Sequence, residues 1–157
     1  IRQDLAGAGL IAAVALATRS GQVVLYELTD AGRTVCGDLG IAAGPVPRES
    51  LEHRYWVNRA AAHYEQQGYA VTREHAVPGD GFVDVVAERA NERLAIEIET
   101  GKSDIRINIE KTQKKGFDRV ILIATAPSAV SACQRALETV PFATRQTVEL
   151  LTWLDVS

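Results

Sequence analysis

An α/β architecture built on a mixed sheet is predicted by three features of the chain. From residue 50 onward the apolar positions switch between period 3.6 and period two in the order αβββαβαβ. Residues 42–48, with two prolines and a glycine, have the composition of a linker and separate this pattern from a shorter helix-hairpin-helix segment. Across 157 residues, 46% are hydrophobic and 24% charged, enough for a packed core without disulfides or a structural metal. Two domains are expected, residues 1–44 and 45–157.

The elements follow in order. Residues 1–9 read as the end of a helix closed by Gly7 and Gly9. Two β-type runs, residues 10–17 and 23–28, flank a polar segment containing Gly21, which is a hairpin signal. Thr29 is suited to cap a helix over residues 30–39 that stops at Gly40. Past the linker, Ser50 caps a helix running to Gln67, with Val57, Ala60, Ala61 and Tyr64 on its buried stripe and Gly68 as its stop. Strands follow at residues 69–75, 82–88 and 94–99, the last two joined by a tight turn at Ala90-Asn91. A helix from Ser103 to Gly116, a buried-type strand at 119–125, a helix at 128–138 and a strand at 147–152 complete the pattern.

Composition narrows the function. Cys36 and Cys133 stand far apart without a Cys/His cluster, which excludes a zinc ribbon and a secreted disulfide scaffold and makes a reducing cytoplasm the expected setting. Residues 9–17, the longest apolar stretch, are too few to cross a bilayer, so no membrane association is expected. Asp4 spoils the basic leader of a signal peptide. No methionine occurs, at position 1 or elsewhere, which leads to the expectation of a larger reading frame. The net charge of −3 gives no global nucleic-acid footprint. The charge is unevenly placed, however: all four lysines lie between residues 102 and 115, and residues 100–119 carry six positive charges against three negative.

The chemistry concentrates in residues 81–104, GFVDVVAERANERLAIEIETGKSD. Period two sets Asp84 on one strand face and Glu97 with Glu99 on one face of the next, among mostly apolar neighbours. A hairpin symmetric about Ala90-Asn91 puts Asp84 opposite Glu97. Directly opposed side chains have Cβ atoms about 5 Å apart, where like charges repel, and burial makes each carboxylate costlier. A divalent cation held by Asp84, Glu97 and a backbone carbonyl such as that of Ile98 would offset this, in the oxygen coordination that suits Mg²⁺. The competing reading is an exposed face with the acids paired to Arg89, Arg93 or Lys102.

The block resembles the PD-(D/E)xK nuclease superfamily, whose restriction-endonuclease-like core is αβββαβ, with an aspartate on the second strand and E-x-K on the third. The resemblance covers about residues 50–125. It implies that Asp84 is the aspartate and Glu97 the first acid of the signature, while Glu99 occupies the lysine position, as glutamate does in some restriction endonucleases. Lys102 is the ammonium nearest in sequence. The resemblance implies Mg²⁺ or Mn²⁺ as cofactor and Glu52 and His53 as accessory groups on the first helix. The whole 95–125 block is also similar to C-terminal domains of prokaryotic proteins linked to DNA-processing ATPases and mobile elements. Before it, GLIAAVALATRSGQVVLYELTDAGRTV resembles the C-terminal half of a winged-helix domain, the hairpin being the wing.

These features lead to the expectation of a Mg²⁺-dependent DNA endonuclease or nuclease-like domain within a larger DNA-processing protein, with an N-terminal part of the same chain or an associated ATPase as partner. Asp84, Glu97, Glu99 and Lys102 are the expected catalytic groups. Glu99 or Lys102 would orient or deprotonate the attacking water. The turn at Gly101-Lys102-Ser103 opens a helix whose N-terminus favours phosphate, and Ser103, Arg106, Lys111, Lys114 and Lys115 are the expected nucleic-acid contacts. The alternatives are a catalytically silent DNA-binding or docking module of the same fold, and a winged-helix regulator with an assembly domain. Oligomeric state is not legible.

Overall fold

The computed structural model describes residues 1–76 and 81–156. The chain divides into two compact units, Ile1–Arg54 and Tyr55–Ser157. The proline-containing stretch 42–48 therefore falls inside the first unit.

That unit is a helix-hairpin-helix: α1 (Arg2–Gly7), β1 (Ile11–Thr18), β2 (Gly21–Leu28) and α2 (Asp30–Asp38). The strands pair antiparallel from Ile11↔Leu28 to Thr18↔Gly21, so the turn is only Arg19-Ser20, tighter than the five-residue segment expected. Gly21 permits this by adopting φ +128°, and the Thr18 hydroxyl donates to its carbonyl at 3.2 Å. Thr29 caps α2 as expected. Its hydroxyl oxygen accepts the Gly32 N–H at 3.1 Å while its proton goes to the Gly9 carbonyl at 2.7 Å. Gly32 has to be glycine, because a Cβ there would lie 2.0 Å from the Leu10 carbonyl oxygen.

Helix α3 (Leu51–Gln66) begins in the first unit and ends in the second, with Ser50 Oγ accepting the His53 N–H at 3.2 Å. The second unit continues with β3 (Ala70–Ala76), β4 (Phe82–Arg89), β5 (Glu92–Glu99), α4 (Ile105–Gln113), β6 (Arg119–Ala124), α5 (Pro127–Thr139), α6 (Phe142–Arg145), β7 (Val148–Thr152) and α7 (Trp153–Val156). Its strands form one mixed sheet in the order β3-β4-β5-β6-β7, antiparallel across β3, β4 and β5 and parallel across β5, β6 and β7. The two-residue reversal at Ala90-Asn91 permits the β4–β5 pairing. The parallel ones need the crossovers through α4 and α5. The protein is thus α/β with a mixed five-stranded sheet.

The sheet has two covered faces. On one, Ile105 and Ile109 of α4 and Ala129 and Cys133 of α5 pack onto Val120, Leu122 and Ala124 of β6. On the other, Tyr64 of α3 shares a small cavity with Leu94, Ile121 and Leu151. The register Glu97↔Leu122 and Glu99↔Ala124 puts both glutamates on the α4–α5 face.

Helix α4 departs from the expected span at both ends. Its cap is Asp104, whose Oδ1 accepts the Ile107 N–H at 3.2 Å, because the Ser103 hydroxyl is engaged elsewhere. It stops at Gln113, and Lys114 follows as the C-cap. Helix α5 starts at Pro127, whose missing N–H costs nothing at a first helical position. The four-residue helices α6 and α7 had no periodic signal to announce them. No helix among the described residues is long and apolar enough to cross a membrane.

Candidate functional site

The acidic cluster originates in how the β4–β5 hairpin ends. Ala90 takes φ +50° at the turn, and the strands pair from Arg89↔Glu92 back to Val85↔Ile96, the register expected from symmetry about Ala90-Asn91. Beyond Val85 the backbone ladder stops. Asp84 Oδ2, rather than a β4 carbonyl, accepts the Ile98 N–H at 2.8 Å. A residue's N–H and C=O point to the same strand edge. The Glu99 carbonyl accepts the Thr125 N–H at 3.0 Å on the β6 side, so by alternation the Ile98 carbonyl opens toward β4 and the gap beside Asp84.

Glu97 closes that gap. Its residue is only 8% exposed, and its carboxyl lies in hydrogen-bonding contact with both the side chain and the backbone of Asp84. Burial above all, then the charge of Asp84 and then that of Glu99, pushes the Glu97 pKa up to about 9. At neutral pH the Asp84–Glu97 pair therefore holds a proton, which lets one carboxyl donate to the other. The arginines expected as possible partners make other contacts: Arg93 Nε lies 2.7 Å from Glu88, and Arg89 lies 3.9 Å from Glu92.

Glu99 meets a different environment. It is 1% exposed, yet the Ser103 hydroxyl donates to Oε2 and Asn108 Nδ2 donates to Oε1 at 3.1 Å. These bonds tie the strand end to the first turns of α4. The Glu99 charge also helps burial hold the Cys133 thiol at about 12, leaving that cysteine an inert core residue. Asn108 was absent from the expected site. Its signal was a polar residue on the inward stripe Ile105, Asn108, Ile109, Thr112 of α4.

The expected cations separate into two places. Lys111 and Lys115 line a cavity of about 130 Å³ with Glu97, Asn108 and Phe82. Lys102, Ser103 and Arg106 line a different cavity, toward α5. Arg106 also approaches Glu110 at 3.7 Å, and Lys114 is exposed at the end of α4. Glu52 and His53 occupy the first turn of α3, half-buried, in the first unit.

Among the described residues no group of three or more His, Cys, Asp or Glu side chains is gathered to hold a metal ion. The donor set is two carboxylates and the Ile98 carbonyl. Such a set still fits Mg²⁺, an oxygen-seeking cation that keeps several waters and commonly takes one or two protein carboxylates. The raised pKa of Glu97 has the same cause, crowded negative charge, that such a cation would balance.

No family model matches the chain, and no curated protein does. A solved structure titled "Crystal Structure of Protein of Unknown Function AF1548" is similar over 63% of this chain and 57% of that one, with 19% identity and a TM-score of 0.44. The match spans little more than half of that protein's chain.

Proposed function

We propose that the second unit is a Mg²⁺-dependent nuclease-like domain acting on DNA, with the αβββαβ core of the PD-(D/E)xK superfamily carried by α3 through β6. The observation that carries this reading is the meeting of half-buried Asp84 with buried Glu97 where the β4–β5 ladder stops, beside the open Ile98 carbonyl. Element order supports it, as does the placement of the acids on the second and third strands. The helix-hairpin-helix of the first unit fits a winged-helix remnant.

In this reading Asp84, Glu97 and the Ile98 carbonyl hold the cation, which supplies Lewis-acid polarisation of the scissile phosphate and lowers the pKa of the attacking water. Loading the site requires Glu97 to give up its proton. Lys111 and Lys115 bring ammonium groups to the cavity that Glu97 lines, where they would attract a phosphodiester. Glu99 anchors α4 over the strand instead of handling water, since both its oxygens accept hydrogen bonds.

That same anchoring favours a second reading, a nucleic-acid-binding or docking module that keeps the fold without the chemistry. Nicking of supercoiled plasmid in Mg²⁺ or Mn²⁺ separates the two. The enzyme reading expects cleavage that Asp84→Ala and Glu97→Ala each reduce by roughly a hundredfold or more, the scale of losing a transition-state charge partner. Cation-independent background in all three proteins would leave the binding module.

A further inference from the structure

The second cavity has a chemistry of its own. It measures about 550 Å³ and lies between the start of α4 and one side of α5. Lys102 and Arg106 contribute from the α4 side, and Arg135 from α5. The floor is Ala132 and Ala136, whose methyl groups leave space where longer side chains would fill it.

Glycine at position 101 makes this arrangement possible. It holds φ +82°, and a Cβ there would sit 3.4 Å from the Ala129 backbone, so the β5–α4 turn lies directly against the first turn of α5. Lys102 is thereby brought alongside the face of α5 that carries Arg135.

The charge of this groove is one-sided. Among the described residues the only carboxylate lining it belongs to Asp104, and that group is committed to capping the Ile107 N–H at 3.2 Å. Arg106 is loosely balanced by Glu110 at 3.7 Å, with both side chains about half exposed. Lys102 and Arg135 make no ion pair among the described residues. Three cations around one concavity repel one another unless an anion is shared between them.

We infer that the α4–α5 groove binds the phosphate oxyanions of a nucleic-acid backbone, with Arg135 as the fork-shaped donor facing Lys102 and Arg106. A guanidinium matches two phosphate oxygens at once, and the flanking point charges tolerate any base sequence. The inference rests on the nucleic-acid reading of the domain and extends it to a surface separate from the acid cavity. It also moves Lys102 from the reacting centre to substrate holding. Arg135 had no sequence signal, being a lone cation on an otherwise amphipathic helix.

The test is fluorescence anisotropy of a labelled DNA duplex with the whole chain in EDTA, over a series of salt concentrations, so that cleavage plays no part. Arg135→Ala and Lys102→Ala should each weaken binding about tenfold, similarly for unrelated sequences, and lower the slope of log K against log salt by about 1. Arg135→Lys should keep the slope. Arg59→Ala, an exposed charge on α3, controls for net charge and should change little. Wild-type slopes in both groove variants would overturn the inference, as would an Arg59→Ala loss equal to that of Arg135→Ala. Sodium tripolyphosphate forms a second arm. If Arg135→Ala abolished its binding and left DNA binding intact, the groove would be a site for free phosphates and the inference would fail. Nicking lost in Asp84→Ala but unaccompanied by any slope change sinks the groove alone, whereas a slope change without nicking sinks the hydrolytic reading alone.

Discussion

Glu97 and Glu99 stand two residues apart on one face of β5, both withdrawn from water, yet their surroundings differ in kind. Around Glu99, Ser103 of the β5–α4 turn and Asn108 of α4 each supply a donor, and the carboxylate becomes a fastening between strand and helix. Around Glu97, burial and the neighbouring Asp84 carboxyl push its pKa up. Burial alone therefore does not mark a reactive acid. What distinguishes the two is the company each keeps: side-chain donors fix both oxygens of Glu99, whereas Glu97 faces another carboxyl.

Breaking the fastening should have the largest effect. Glu99→Ala leaves the Ser103 hydroxyl and the Asn108 amide without their acceptor and opens a void, and should cost about 3 kcal/mol in urea unfolding. A loss below about 1 kcal/mol would show that α4 is held by its isoleucines alone. Glu97→Gln is expected to act in the opposite direction. The folded pKa of Glu97, about 9, lies above its ordinary value of 4.5, so the native state binds more protons between these limits. Its stabilising contribution is complete below pH 4.5 and is lost as pH rises toward 9. In EDTA the wild-type protein should lose stability from pH 5 to pH 8, a window that keeps Cys133 and Tyr64, both held near 12, out of the titration. Glu97→Gln should flatten that decline and add about 1 kcal/mol or more at pH 8. A wild-type profile without the decline would contradict the shared proton. The smallest change is Ser103→Ala, which removes one donor to Glu99 and should cost about 1 kcal/mol by the same unfolding measurement.

Much of this contrast could be read from the residues. The Ala90-Asn91 turn fixed the hairpin register, and period two put Asp84, Glu97 and Glu99 on a common face. Where the ladder would end could not be read, because it depends on a side chain displacing a backbone carbonyl as the partner of the Ile98 N–H. Ser103 and Asp104 are both good helix caps, and their order was decided by Glu99, a tertiary neighbour invisible to local propensity. Lys102 is near Glu99 in sequence, but the Gly101 turn carries it toward α5. Arg135 became part of a charged groove only through the packing of two helices.

Strand β5 meets β4 through a turn of a few atoms and β6 only by way of a helical crossover. Closure of the nearby reversal is fast and that of the distant one slow, so during folding Asp84 and Glu97 come together while still hydrated. Their repulsion is then mild. It grows with the burial that α4 completes over the strand, which ties the uptake of a proton on folding to the seating of that helix rather than to the hairpin alone.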